Sequence, residues 1–404
     1  MEIGKADSPP ARPWHYRAAA YTFAVGMAGT TLPTPLYGLY QDEIGFSSLM
    51  VTVIFATYAA GVIAVLVLAG DFSDLLGRKP VLLTSLGLSL ASGVCFVLES
   101  GLPLLFTGRV LSGLAAGLLT GTATVAVMEL APPDRKDRAA FAATAANMGG
   151  LGCGPLLAGV LAAYAPWPLR LPYLTHLGLL VVAIGLTLPL PETVRRREHR
   201  PPLRPRPPHV PREVRGVFVP AALAAFAGFS MFGLFTSVAP SFMHDDLGVD
   251  DPAVSGVVVF AAFAASTVGQ LATRRFGAGR ALPAGCFVLV AGMLLIGGSL
   301  LFSSLALLAA GAVVAGLGQG LSFRAGMAAV TGRTPQDRRG ETTSAFFVVA
   351  YLGISLPVLG VGALTLAVGL RDAGLAFTAC VVVIAAVIGV LLARRFRREP
   401  EPAG

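Results

Sequence analysis

The sequence predicts an all-α integral membrane protein with twelve transmembrane helices. Hydrophobic residues make up 55% of the 404 residues and charged residues only 13%, about half the charged share of a soluble protein. Apolar runs of about 20 residues, the length that crosses a bilayer core, recur along the chain. They lack the alternating polarity of barrel strands, so we expect helices.

Twelve spans can be placed between charged or Pro- and Gly-containing breaks. The first six are expected at 17–40, 48–70, 80–98, 103–128, 138–164 and 169–190. The other six are expected at 216–242, 252–272, 280–301, 304–331, 341–366 and 372–393. The polar segment between the two sets is dense in Arg and Pro. We therefore predict an N-terminal six-helix bundle at 1–190, a cytoplasmic linker at 191–215 and a C-terminal six-helix bundle at 216–404.

The distribution of positive charge predicts that both termini are cytoplasmic. Membrane proteins keep Lys and Arg on the cytoplasmic side. With the N-terminus inside, all but four of the 30 Lys and Arg residues fall on that side. The exceptions are Arg109, Arg170, Arg324 and Arg371. The expected location is the cell membrane, as a multi-pass protein. Scattering of the basic residues between apolar runs argues against nucleic-acid binding.

The two predicted bundles share a repeated pattern. GLAAG at 113–117, followed by PPDR at 132–135, matches GLGQG at 316–320, followed by PQDR at 335–338. Both copies fall at the fourth span of a half and the loop after it, as a duplicated six-helix unit requires. Duplicated halves are typical of transporters, which bind substrate between the repeats near the middle of the bilayer.

The loop between the second and third spans carries a charged motif, GDFSDLLGRK, from Gly70 to Lys79. The pattern G-x-x-x-D-x-x-G-[RK]-[RK] resembles the signature loop of the major facilitator superfamily. A degenerate second copy begins at Gly269, and Thr273 there replaces the acid. With twelve spans, a long central loop and duplicated halves, the resemblance covers the whole chain. Leu75 departs from the family, which usually has a basic residue there.

The resemblance implies a conformational latch at this loop. In the family, the loop Asp binds across to the other half and stabilises the outward-facing state, which assigns that role to Asp74. Glu129 and Arg138 lie in a segment that resembles the family's E…P…R element and would extend the latch. The latch residues are thus Gly70, Asp74, Gly77, Arg78, Lys79, Glu129 and Arg138. The alternatives are a charged loop that only fixes topology and plain helix-end capping.

Arg109 is embedded in the fourth span, where a charge is costly and usually functional. The pattern R-x-x-x-G-x-x-A resembles the second motif of the family's drug/proton antiporters, in which the arginine is implicated in proton transfer. We therefore assign proton coupling to Arg109, with Asp42 and Glu43 near the outer end of the first span as titratable candidates. The predicted spans have no Asp or Glu at their centres. The alternative is that Arg109 snorkels to the outer interface.

The fifth span contains the run G-x-x-x-G-P-x-x-x-G, formed by Gly150, Gly154, Pro155 and Gly159. This run resembles the antiporter motif of the family's exporters, although the family motif ends in two glycines and Ala158 stands here before Gly159. Gly and Pro weaken a helix and let two backbones approach closely. The alternative is a kinked packing helix with no bearing on direction.

Apolar and aromatic residues on several spans predict the lining of the substrate cavity. The candidates are Met27, Tyr37, Asn147, Phe229, Phe232, Phe235, Arg324, Phe347 and Tyr351. Such faces suit lipophilic or cationic ligands. Three other roles stay open for Arg324: binding an anionic substrate, pairing with Glu341 or Asp337, and reaching the inner interface.

These features predict a secondary active transporter that exports lipophilic or drug-like molecules in exchange for protons by alternating access. The alternative is an uptake or exchange carrier for a small metabolite, anionic metabolites included. An enzyme or receptor is disfavoured because the sequence has no nucleotide-binding G-x-x-x-x-G-K-[ST] loop and no H-E-x-x-H pair. We expect no metal or cofactor. The expected partners are a small-molecule substrate, protons and the lipid bilayer, and the expected state is a monomer.

Overall fold

The computed structural model describes residues 12–68, 72–194 and 208–398, and the regular elements in these ranges are all helices. The first half contains α1 (Pro13–Thr31), α2 (Tyr37–Ile44), α3 (Ser48–Leu68), α4 (Phe72–Leu76), α5 (Arg78–Val97), α6 (Leu102–Glu129), α7 (Lys136–Tyr164) and α8 (Leu171–Thr187). The second half contains α9 (Arg215–Ser237), α10 (Ala239–Asp245), α11 (Pro252–Phe302), α12 (Leu305–Arg333), α13 (Arg339–Val368) and α14 (Leu370–Arg398).

Ten segments of the described ranges are long and apolar enough to cross a bilayer. They are α3, α5, α6, α7, α9, α12, α13, α14 and the two parts of α11 on either side of a kink at Gly277. The predicted spans at 17–40 and 169–190 correspond to α1 with α2 and to α8. The segment formed by α1 and α2 is not among the ten membrane-crossing segments. Helix α8 is apolar but has only 17 residues.

Two predicted spans are interrupted rather than continuous. The span at 17–40 stops being α-helical after Thr31, passes through a 3-10 turn at Thr34–Leu36 and resumes as α2. Pro33 and Pro35 cause the break, because a proline has no N–H to donate to the preceding helical turn. The span at 216–242 ends its first helix at Ser237 and continues as the short α10.

Close backbone contacts hold each half together. In the first half α6 packs against α3 and α5, and in the second half α12 packs against α11. A Cβ on Gly113 of α6 would overlap the carbonyl oxygen of Tyr58, and one on Gly316 of α12 would overlap that of Ala262. These two glycines occupy matching places in the repeat. Small residues therefore set the same helix–helix approach in both halves.

Local geometry also repeats at the loops. Pro133–Arg135 and Gln336–Arg338 each form a 3-10 turn, and each turn is followed directly by a long helix. Gly77 before α5 and Gly277 within α11 both adopt positive φ, 105° and 70°, with ψ of 155° and 152°. Only glycine takes up this conformation without strain. The degenerate second copy of the signature loop thus keeps the glycine turn although it lacks the acid.

Candidate transport site

The halves pack most closely at one end of the molecule. We call the end that carries the signature loop and the Arg-rich loops the arginine-rich end, and the other, which carries Asp42 and Asp250, the acidic end. Contacts between halves join α7 to α11 and α3 to α13. At the acidic end, added Cβ atoms on Gly159 and Gly362 would overlap Pro252 and Thr52 of the other half. The acidic end is therefore sealed by close packing between the halves, with Gly159 against backbone and Gly362 against the Thr52 side chain.

A cavity of about 330 Å³ lies between the halves towards the arginine-rich end. It is lined by α3, α4, α5, α6 and α7 from the first half and by α11, α12 and α13 from the second. All lining residues of α6 and α12 lie in the portions of these helices nearest the arginine-rich end. The volume is within the range of small-molecule sites.

The lining is rich in hydroxyl groups and carries one charge. Its hydroxyl-bearing residues include Thr120, Thr124, Thr144, Thr331, Thr343 and Ser344. Arg324 is the single charged side chain among the described lining residues. Phe323, Met327 and Phe347 form an aromatic and apolar wall next to it, with the Phe323 and Phe347 rings 5.9 Å apart. The cavity can thus offer hydrogen bonds, one positive charge and an apolar surface to the same molecule.

Three of the nine residues predicted to line the cavity are found there, namely Asn147, Arg324 and Phe347. The others are buried in helix packing and do not line the cavity in this conformation: Met27, Tyr37, Phe229, Phe232, Phe235 and Tyr351. The ring of Phe232, for example, stacks on Phe263 at 4.1 Å within the second half. Tyr351 meets Tyr58 of the first half, with ring centroids 6.4 Å apart.

Arg109 lies in α6 towards the acidic end and is completely buried. Its Nη1 donates to the carbonyl oxygen of Thr30 at 2.6 Å, and its Nη2 donates to the Tyr37 hydroxyl. The guanidinium carbon lies 5.3, 6.0 and 5.9 Å from the ring centroids of Tyr37, Tyr58 and Phe96. Neutral groups and aromatic faces therefore hold this charge, and it does not reach the interface.

The antiporter-like run of α7 faces two neighbours. Gly150 and Gly154 pack against the backbone of α1, whereas Gly159 packs against Pro252 at the start of α11. In return, a Cβ on Gly256 of α11 would overlap the Pro155 carbonyl oxygen. The run thus joins its own half and contributes one surface of the seal at the acidic end.

A group of titratable residues surrounds the seal at the acidic end. The His244 ring lies 3.0 Å from an Asp245 oxygen and 3.5 Å from an Asp250 oxygen. The hydrogen bond to Asp245, with the negative charges of Asp245, Asp250 and Asp42, raises the pKa of His244 although partial burial opposes the rise. Asp42 belongs to the first half, so this group spans the interface. Glu43 is exposed on α2.

The signature loop is held by carboxylates at the arginine-rich end. Arg78 Nε lies 3.3 Å from Glu129. The Glu192 carboxylate accepts from the backbone N–H groups of Arg78 and Lys79 at 2.8 and 3.1 Å. A Cβ on Gly77 would collide with that carboxylate. The start of the linker, at Glu192, is therefore hydrogen-bonded to the signature loop.

Some of the predicted latch residues take no visible part in this arrangement. Gly70 and the side chain of Asp74 lie outside the described part of the chain. Arg138 is exposed on the first turn of α7. Within the described residues, no hydrogen bond or ion pair joins Arg138 to Arg78 or Glu129.

Sequence reasoning missed Glu192, His244, Gly256 and the threonine lining. A signal existed for the threonines, because Thr120 and Thr124 are four residues apart and therefore share a helix face. The contact of Glu192 with Arg78 and the proximity of His244 to Asp42 each involve distant parts of the chain, so no local sequence pattern predicts them.

Comparisons with known proteins agree with this architecture. The family profile of the Major Facilitator Superfamily matches residues 19–356. An uncharacterized MFS-type transporter of Mycobacterium tuberculosis is 28% identical over 46% of this chain and 30% of its own length. Multidrug resistance protein MdtL of Klebsiella pneumoniae is 25% identical over 52% of this chain and 53% of its own length. The matches thus span only about a third to a half of these relatives.

The fold likeness extends further than the sequence likeness. A bacterial homologue of the human lysosomal transporter Spinster, solved in an inward-facing and occupied conformation, superimposes with a TM-score of 0.70 at 16% identity. The superposition covers 98% of this chain and all of that one.

Proposed function

The chain belongs to the major facilitator superfamily, and we propose that it is a proton-coupled exporter of lipophilic or drug-like small molecules. The observation that carries this proposal is the cavity between the halves, open towards the arginine-rich end and sealed at the acidic end. A family member named for multidrug resistance favours export over the uptake or exchange carrier.

Transport follows from the unequal packing of the two ends. Substrate enters the cavity from the arginine-rich end, which we assign to the cytoplasm because positive charge is retained there. The halves then rock about the bound substrate, which opens the acidic end and closes the other. The contacts of Gly159 and Gly256 must separate during each cycle. Because glycine has no side chain, the two backbones can separate without first disengaging interdigitated side chains.

The proposal includes the architecture on which such rocking depends. Twelve spans in two six-helix bundles, at 1–190 and 216–404, would move as two bodies joined by the linker at 191–215. The two spans beyond the ten apolar segments are α1 with α2, and α8. Support comes from their packing, because α1 contacts α6, α7 and α8, and α8 contacts α5, all within the first half. A monomer is sufficient for this cycle.

The latch belongs to the same cycle. Arg78, Glu129 and Glu192 hold the signature loop against its own half while the arginine-rich end is open. We propose that closure of this end brings Asp74 of the loop against the second half, as the family resemblance implies. The carboxylates would then keep Gly77 and the start of α5 in the correct position for that contact.

Proton coupling is assigned to charged groups away from the cavity. The described lining of the cavity holds no carboxylate, so a proton site must lie elsewhere. Arg109 places a permanent charge beside Tyr37 and Tyr58, and Asp42 with His244 lies at the seal. Protons arriving from the acidic side would reach Asp42 first and alter the contact between the halves.

Efflux from preloaded cells tests the proposal. Efflux-deficient bacteria that express the chain are loaded with ethidium or with the anionic dye 1-pyrenebutyrate, and dye loss is followed with and without a protonophore. We expect loss of at least one dye to exceed the empty-vector rate and to slow with the protonophore. An Arg109→Ala variant at matched expression should be inactive. Vector-level loss of both dyes would contradict export, and protonophore-insensitive loss would contradict proton coupling.

A further inference from the structure

The charge of the cavity is set by one residue. Arg324 lies on α12, its side chain is exposed, and it lines the cavity. It makes no hydrogen bond or ion pair with any described residue, although Glu341 begins the neighbouring α13 and was a candidate partner. The matching position in the first half is Gly121, which also lines the cavity and adds no charge. The described lining is therefore positive and asymmetric.

The surroundings strengthen this positive character. Arg274 is close enough to Arg324 for the two cations to repel each other. The Asp137 carboxylate lies 3.6 Å from Arg274, but both side chains are well exposed, so this pair is largely screened by water. A cationic ligand in the cavity would face the Arg324 charge without any described carboxylate to offset it.

We propose that the exported substrates are amphipathic organic anions, with a carboxylate or a similar acidic group bound by Arg324. This inference rests on the proposed function and names its substrate class. Arg324 can give two parallel, charge-assisted hydrogen bonds to a carboxylate, each about twice as strong as a hydrogen bond between neutral groups. The hydrocarbon body lies against Phe323, Met327 and Phe347, which adjoin the arginine.

The hydroxyl groups complete the recognition. Thr120 and Thr124 project from α6 across the cavity from α12, and Asn147 on α7 has a buried carbonyl oxygen without a hydrogen-bond partner in the described structure. An N–H or O–H group of the substrate satisfies that oxygen. The ligand class is therefore an acid with an aromatic or aliphatic body, and a hydrogen-bond donor on that body would add to the binding.

The same charge explains why substrate would promote closure. Enclosing a lone arginine in a dry site is costly, whereas enclosing an ion pair with good hydrogen bonds costs much less. The empty cavity therefore resists closing around Arg324. An anionic substrate neutralises the guanidinium, and the halves can then move together around it.

Binding of a matched acid and amide tests this inference. The purified full chain is titrated with 1-pyrenebutyrate and with its uncharged amide, and fluorescence anisotropy gives both dissociation constants. We expect the acid to bind about 10-fold to 100-fold more tightly. Arg324→Gln should reduce acid binding to the level of the amide and change amide binding less than about 3-fold. Arg324→Lys should keep most of the preference, and Arg274→Gln should keep nearly all of it.

Three results would overturn the proposal: no binding of the acid, equal binding of acid and amide to the native chain, or an equal loss of both in Arg324→Gln. The first two need no variant and stand even if Arg324→Gln fails to fold. Binding is independent of transport. Tighter binding of the acid without efflux of either dye would refute export and leave the recognition of negative charge intact. Efflux of the dyes with equal binding of acid and amide would support export and refute the recognition of negative charge.

Discussion

Each end of the interface between the halves has one arginine embedded in a helix, and the two arginines differ in burial and in hydrogen-bond partners. Near the sealed end, Arg109 has no exposed surface and is held by a carbonyl oxygen, a hydroxyl and three aromatic rings. In the open end, Arg324 faces the cavity and has no hydrogen bond or ion pair within the described residues. A charge in a membrane helix needs partners. Where the protein supplies them the arginine organises packing, and where it does not, we propose that an anionic ligand supplies them.

The largest effect should come from removing the buried arginine. In Arg109→Ala, the Thr30 carbonyl and the Tyr37 hydroxyl lose their partner and a large side-chain volume is vacated. We expect a loss of ~2–4 kcal/mol in the free energy of unfolding and no efflux. Reversible unfolding in mixed micelles measures the first quantity.

Arg324→Ala is the matched control, because it removes the same side chain from the open end. We expect its stability to stay near that of the native chain, since no hydrogen bond or ion pair among the described residues is lost. Equal destabilisation by the two substitutions would remove the contrast between the ends.

The seal itself can be broken next. A valine at position 256, in Gly256→Val, would drive a side chain into the Pro155 carbonyl of the other half. Overpacking of this kind costs ~1–3 kcal/mol, and here the cost falls on the sealed conformation alone. We expect a shift of about 5-fold or more towards molecules open at the acidic end. Spin labels on exposed residues of α7 and α13 at the arginine-rich end would then report shorter distances.

Gly360→Val provides a control on α13, because no atom lies within 4 Å of a Cβ built on Gly360. Its label distances should match those of the native chain. An unchanged distance distribution in Gly256→Val would mean that the glycine contacts do not hold the seal.

The open end can be examined by moving its charge. Gly121 and Arg324 both line the cavity at matching places of the repeat, and a Cβ on Gly121 meets open space. In the double variant Gly121→Arg with Arg324→Gly, we expect the preference for 1-pyrenebutyrate over its amide to be smaller than in the native chain. The acid should still bind about 3-fold to 10-fold more tightly than the amide. If the double variant shows no preference, the immediate surroundings of Arg324 set selectivity, and not the presence of a charge in the cavity.

Much of the helical framework could be predicted, because hydropathy along a membrane chain is a strong signal. The span predicted at 103–128 is observed as Leu102–Glu129, and the repeat of 113–117 at 316–320 recurs as matching helix contacts. The lining of the cavity was harder to predict. In a membrane helix every face is apolar, so hydrophobicity does not distinguish Phe347 in the cavity from Phe232 in a packed stack.

Charged positions show the same limit. The sequence marks Arg109 and Arg324 equally as embedded arginines, and only the tertiary structure shows that one is enclosed and the other open. The contacts that decide this come from α1, α2 and α3 for Arg109, far along the chain from its own helix. No local pattern encodes them.

The smallest expected effect concerns pH at the sealed end. Interaction with Asp245, Asp250 and Asp42 raises the pKa of His244 above its ordinary value of 6.5 in the sealed state. The part of this rise that comes from Asp42, which belongs to the other half, favours the sealed state at pH below 6.5, and this contribution is lost as the pH rises through the raised value. Because the pairs are exposed, we expect a change of less than about 5-fold in the sealed-to-open ratio. The spin-label distances measured from pH 5.5 to 8.5 should show this change, and His244→Gln should remove the pH dependence.

Asp245→Asn should move the midpoint of the pH dependence to lower pH, because Asp245 is the largest cause of the raised pKa of His244. A pH dependence that persists unchanged in His244→Gln would assign the titration to another group.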